Sequence, residues 1–116
     1  MTLRKNWIKN KLGLYKPDME AIVAVLSQEP KVDQALIFGS RAKGNFKNGS
    51  DIDLALKGEK LDFNTVSQIS YRLNEETAMP YRFDVLNYHG IQEQSLLEHI
   101  DMVGIELYNR RYKIPL

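Results

Sequence analysis

The sequence predicts an α/β (α+β) domain, a small mixed sheet flanked by helices. Three observations carry this expectation. Short apolar runs and period-2 stretches of strand length alternate with longer segments of helical spacing. Turn-forming residues punctuate nearly every junction. The chain has 116 residues, enough for one modest core.

Pro17-Asp18 opens a helical pattern in which Met19, Ile22, Val23 and Leu26 recur, and Glu29-Pro30 closes it. Val32 to Phe38 reads as a strand ending in the apolar run Ala35-Leu36-Ile37-Phe38. Gly39-Ser40 stops it, Arg41 to Lys43 fit one helical turn, and Gly44 to Ser50 are turn-rich. Asp51 to Lys57 alternate: Ile52, Leu54 and Leu56 define an apolar face, and Asp51, Asp53, Ala55 and Lys57 the other. Asp62 is the expected N-cap of a helix to about Thr77, with Phe63, Val66, Ile69, Tyr71 and Leu73 as its apolar positions. Met79-Pro80 ends it, and Tyr81 to Tyr88 form a third strand. A helix from Ile91 to about Met102 turns Leu96, Leu97 and Ile100 inward. Gly104 stops that helix, and Ile105 to Tyr108 suit a short edge strand.

Charge divides the chain unevenly. Residues 1–16 hold Arg4, Lys5, Lys9, Lys11 and Lys16 and no acid; the remainder holds 11 basic and 15 acidic residues. The expected division is a basic N-terminal arm, 1–16, and a domain, 17–116. A domain acidic overall argues against direct nucleic-acid binding. Trp7 and Tyr15 are candidate partner anchors on the arm, set against small contacts to the domain itself. With no cysteine there is neither a disulfide framework nor a thiolate metal site. No apolar run has membrane-span length, and no secretory leader is recognisable, so a cytoplasmic location is expected.

The candidate chemistry lies in two neighbouring segments and one distant acid. Asp51 and Asp53 fall on the same side of a strand, with Cα atoms roughly 6–7 Å apart. Two such carboxylates repel when ionised, and a Mg2+ ion with its preference for oxygen relieves them. Gly39-Ser40, directly after a strand, provides a turn whose backbone N–H groups can approach a phosphate. Arg41 and Lys43 add nearby positive charge as candidate phosphate contacts. Asp84 interrupts the apolar third strand and needs either a cation or Arg82 as partner. The three acids, Asp51, Asp53 and Asp84, form a candidate site for one or two Mg2+ ions. Asp84 is also a candidate acceptor for the proton of an attacking hydroxyl. His89 and His99 lie far apart with no ligand spacing and read as structural or solvent-facing.

Gly39-Ser40-Arg41-Ala42-Lys43-Gly44, followed after ten residues from Ser40 by Asp51-Ile52-Asp53, resembles the GS-x10-D-x-D signature of the minimal nucleotidyltransferases. These are the smallest members of the DNA polymerase β-like superfamily. Asp84 matches the third carboxylate of that family. The resemblance covers about residues 17–108 and implies the polymerase β-like nucleotidyltransferase fold, ATP or another nucleoside triphosphate as substrate, and Mg2+. It also implies a partner: a HEPN-type or other substrate-binding helical protein encoded beside it. In the best understood pairs the nucleotidyltransferase is an antitoxin that moves AMP onto a tyrosine of the HEPN toxin. Two other readings stay open, a non-catalytic module that neutralises or scaffolds a helical partner, and an enzyme that modifies small molecules.

Overall fold

The computed structural model describes residues 8–114. Its elements run α1 (Lys16–Ser27), β1 (Gln34–Phe38), α2 (Gly39–Lys43), β2 (Ile52–Lys57), α3 (Phe63–Glu75) and β3 (Phe83–Asn87). A short 3-10 turn at Tyr88–Gly90, α4 (Gln94–Val103) and β4 (Ile105–Asn109) complete it. The four strands form one sheet in the order β3-β2-β1-β4. β1 is antiparallel to β2 and β4, and β2 is parallel to β3, so the sheet is mixed. The expected architecture is therefore the observed one, and β4 takes the expected edge.

Strand alternation sorts the side chains into two apolar layers. Ala35, Ile37, Ile52, Leu54, Leu56 and Phe83 face one way and pack with Ile22 and Leu26 of α1 and Ile69 and Leu73 of α3. The opposite face carries Leu36, Phe38 and Ala55, which pack under Ile100 of α4. The second face of β2 is thus covered along part of its length, and Ala55 is fully buried. Two positions expected to be apolar contacts of α3 are not: Phe63 is 83% and Tyr71 59% exposed. They lie off the stripe through Ile69 and Leu73, which faces the sheet.

The core also draws on the segment before residue 16, the end of the expected basic arm. Leu12 and Leu14 are buried within the larger cluster. The Asn10 side-chain oxygen accepts the N–H groups of Leu12 and Leu14 at 2.9 and 3.1 Å, closing a local turn. Tyr15 then caps α1, its N–H donating to Asp18 Oδ2 at 3.2 Å. Trp7, Arg4 and Lys5 lie outside the described residues. Among the described residues no helix is long and apolar enough to cross a membrane.

Asp62 caps α3 as expected, accepting the Thr65 N–H at 2.8 Å. Hydrogen bonds from Thr65, and then Lys31, lower its pKa to about 2. A depressed carboxylate contributes stability that is present above its ordinary value and lost as the pH falls through the folded one. Wild type should therefore lose thermal stability more steeply than Asp62→Asn between about pH 4 and pH 2. Parallel melting curves for the two proteins across that window would refute the cap's contribution.

Candidate active site

The site forms where β1 ends and β2 and β3 begin. Antiparallel pairing sets Phe38 opposite Asp53, and parallel pairing sets Asp53 opposite Asp84. Registered neighbours share a face, so Asp53 and Asp84 stand side by side beyond the patch that α4 covers. Asp51 immediately precedes β2 and is exposed. The structure thus brings all three predicted acids to one end of one sheet.

Asp53 is half-buried and central. Burial raises its pKa above the ordinary carboxylate value, and Asp84 and Asp51 raise it further, while His99 opposes them. Asp84 is exposed and, among the described residues, makes no ion pair. Its exposure removes the need for a partner such as Arg82, which burial would have imposed. Its strand is fixed by a residue that carries no motif signal in the sequence. Asn74 of α3 accepts the Phe83 N–H at 2.8 Å and donates to the Phe83 carbonyl at 3.0 Å. That satisfies the outer edge of β3 one residue before Asp84.

Gly39 meets Asp53 directly. Its φ is +71°, and a Cβ on it would stand 2.2 Å from Asp53 Oδ2. Only glycine accepts both the left-handed backbone and the carboxylate at that distance. Gly39→Ala should lower stability by about 1–2 kcal/mol from the left-handed backbone alone. By displacing the Asp53 carboxylate, it should also reduce catalysis by about a hundredfold. Chemical denaturation and a transfer assay read the two effects, and a fully active alanine variant would contradict the placement.

Ser40 follows, half-buried, in the first turn of α2. Lys43 is exposed at the other end of that short helix. Arg41 departs from expectation. It is 2% exposed, and its guanidinium donates to backbone carbonyls of Leu12 at 2.9 Å, Gly13 at 3.3 Å and Ser50 at 2.7 and 3.1 Å. The same group lies over the rings of Phe46 and Tyr81, at 5.2 and 5.0 Å from their centroids. Four of its five N–H donors are taken up by the fold, which makes the side chain a clasp. That clasp joins the N-terminal segment, α2 and the turn leading to Asp51.

His99, expected to be structural or solvent-facing, is at the site. Its Nε2 accepts the Gly39 N–H at 3.1 Å across 60 residues of sequence. Its ring also meets Phe38 edge-on, with centroids 6.0 Å apart. A helical repeat of three or four residues from Leu96 to Ile100 places His99 beside the covered face, but nothing local identifies Gly39 as its partner.

The donor set is one of hard oxygens, suited to Mg2+. Among the described residues no three His, Cys, Asp or Glu side chains are grouped so that together they could hold a metal ion. Mg2+ is commonly held by one or two carboxylates with waters and substrate phosphates, so these acids fit that mode without such a group. Burial is the first cause of the raised pKa of Asp53, and the neighbouring Asp84 and Asp51 carboxylates add a repulsion that a cation would relieve.

A short strand, a Gly-Ser turn and acids on the two following strands define the class as nucleotidyl-transfer proteins. The family model "Polymerase beta, Nucleotidyltransferase" matches residues 20–113, and the chain belongs to that family. It is accordingly a nucleotidyltransferase. A search of curated proteins found no match. Among solved structures, a chain of a toxin-antitoxin complex with AMP-PNP superposes with a TM-score of 0.66 at 22% identity, over 78% of this chain and 73% of that one. A chain of the toxin-antitoxin MntA-HepT superposes at 0.63 and 19% identity, over 83% and 74%. A chain of a tri-AMPylated Shewanella oneidensis HEPN toxin in complex with MNT antitoxin also superposes at 0.63 and 19%, over 83% and 73%. At these identities the likeness is one of fold.

Proposed function

We propose that this chain transfers AMP from ATP, with Mg2+, to a tyrosine hydroxyl of a helical HEPN-type partner, as the antitoxin of a toxin–antitoxin pair. The observation that carries the catalytic half is the registered pair Asp53–Asp84 with Asp53 seated against Gly39. Support for the acceptor half comes from the similar structures, one with AMP-PNP and one containing an AMPylated HEPN toxin.

In this reading Asp51 and Asp53 hold Mg2+, and Asp84 completes a second site. The bound ions supply charge stabilisation at the phosphate and its leaving group. Gly39 and Ser40 orient the triphosphate through the turn after β1, with Lys43 adding positive charge. Asp84, exposed at the strand edge, receives the proton of the acceptor hydroxyl as its oxygen attacks the α-phosphorus and pyrophosphate departs. Asp51 and Asp84 are both exposed, so an acceptor carried by a second protein has access to them.

The test is incubation of the purified chain with labelled ATP, Mg2+ and the helical protein encoded beside it. Label is expected on a tyrosine of that protein and should disappear when the tyrosine becomes phenylalanine. Failure of wild type to label the partner, or labelling that survives loss of Asp53, would overturn the proposal.

A further inference from the structure

Gly39 is constrained from one side and free on the other. Asp53 excludes any Cβ there, so the position must be glycine. Glycine is the residue with the most backbone freedom, and a turn that aims donors at a phosphate needs that freedom removed. β1 ends at Phe38, so the Gly39 amide falls at the end of the sheet ladder. His99 supplies its partner. The ring is held edge-on against Phe38, and the next residue, Ile100, anchors α4 in the core at 1% exposure. The acceptor is therefore mounted on a packed helix rather than on a loop. To accept this N–H, Nε2 must present its lone pair, which leaves the ring proton on Nδ1.

We propose that His99 is a positioning residue for nucleotide binding: by accepting the Gly39 N–H it fixes the Phe38–Gly39 peptide and so aims the Ser40 N–H and hydroxyl at the triphosphate. This rests on the nucleotidyltransferase reading of the same turn. His99 acts through Gly39 and Ser40, and its contribution appears in nucleotide affinity rather than in the chemical step. An acceptor of similar reach should replace it, and an apolar side chain of similar bulk should not.

The experiment uses the full chain as wild type, His99→Leu and His99→Gln. Three quantities are read: affinity for a fluorescent ATP analogue with Mg2+, hydrogen exchange at the Gly39 amide without nucleotide, and kcat for transfer to the helical partner at saturating ATP. His99→Leu should weaken the analogue about five- to tenfold, the worth of one hydrogen bond. It should also deprotect the Gly39 amide and leave kcat within about twofold, the pattern expected when binding alone is lost. His99→Gln should restore both affinity and protection. Equal affinity for wild type and His99→Leu would overturn the inference, as would tighter binding by His99→Leu, which would make the imidazole a competitor of the phosphate. Failure of glutamine to rescue would also overturn it, by tying the effect to ring packing. Absence of Mg2+-dependent analogue binding by wild type would instead overturn the nucleotide reading on which the inference stands.

Discussion

Asp53→Asn is expected to reduce nucleotidyl transfer by about a thousandfold, the upper range for losing one preorganised electrostatic contact to a transition state. The same substitution should raise the melting temperature at neutral pH. Asp53 stands between Phe38 and Asp84 in the sheet register and against Gly39, which puts its carboxylate at the centre of the site. Its ionised form is disfavoured in the fold, first by burial and then by Asp84 and Asp51. A carboxyl with a raised folded pKa holds its proton more tightly when folded. Above that pKa, ionisation destabilises the fold; below the unfolded value, near pH 4, both states are protonated and the penalty is gone. The advantage of asparagine should therefore be present at pH 7 and fade as the pH falls towards about 4. Added Mg2+ should raise the melting temperature of wild type and leave the variant unmoved. Activity assays and melts at the two pH values check both halves. An active Asp53→Asn protein, or one less stable than wild type at neutral pH, would contradict the assignment. Function here opposes stability, the usual relation at an active site.

The second large effect concerns Arg41. Arg41→Ala should lower the unfolding free energy by about 3–4 kcal/mol, as expected for removing one side of a buried charged hydrogen-bond network. Four hydrogen bonds reach three backbone carbonyls, from residues 12, 13 and 50. With alanine, the carbonyls of Leu12 and Gly13 lose a buried donor, and Phe46 and Tyr81 lose the cation between them. Burial lowers the Arg41 pKa, while Tyr81, Asp18 and Asp51 partly restore it, so the charge is held by its surroundings. Lysine should not rescue, because its ammonium cannot span the fork that these carbonyls define. Urea denaturation gives the measurement: the midpoint should fall for Arg41→Ala and nearly as far for Arg41→Lys. An unchanged midpoint with weakened nucleotide binding would restore Arg41 to the role of phosphate contact.

The two arginine readings mark the limit of what sequence alone conveys. Asp51 and Asp53 were legible because a strand has period two, and Gly39-Ser40 because a glycine after an apolar run signals a turn. Asp84 was legible as an anomaly within a strand, although its neighbour became visible only through the β2–β3 register. Arg41 has the local setting of a phosphate ligand. Its burial depends on Leu12, Gly13, Phe46, Ser50 and Tyr81, which are gathered only by folding. Leu12 and Leu14 make too short an alternation to announce a core segment, and the charge of residues 1–16 is the stronger local signal. The apolar character of Phe63 and Tyr71 overrode their angular position on α3, which points them outward. His99 and Asn74 act through single backbone partners distant in sequence, and no local pattern encodes such a pairing.

The most direct test of the metal and nucleotide site is a crystal of the chain grown with a non-hydrolysable ATP analogue and Mn2+ in place of Mg2+. An anomalous peak bonded to Asp51 and Asp53 with Asp84 adjoining is expected, with the triphosphate lying along Gly39-Ser40. A metal peak elsewhere, or a triphosphate bound away from that turn, would contradict it.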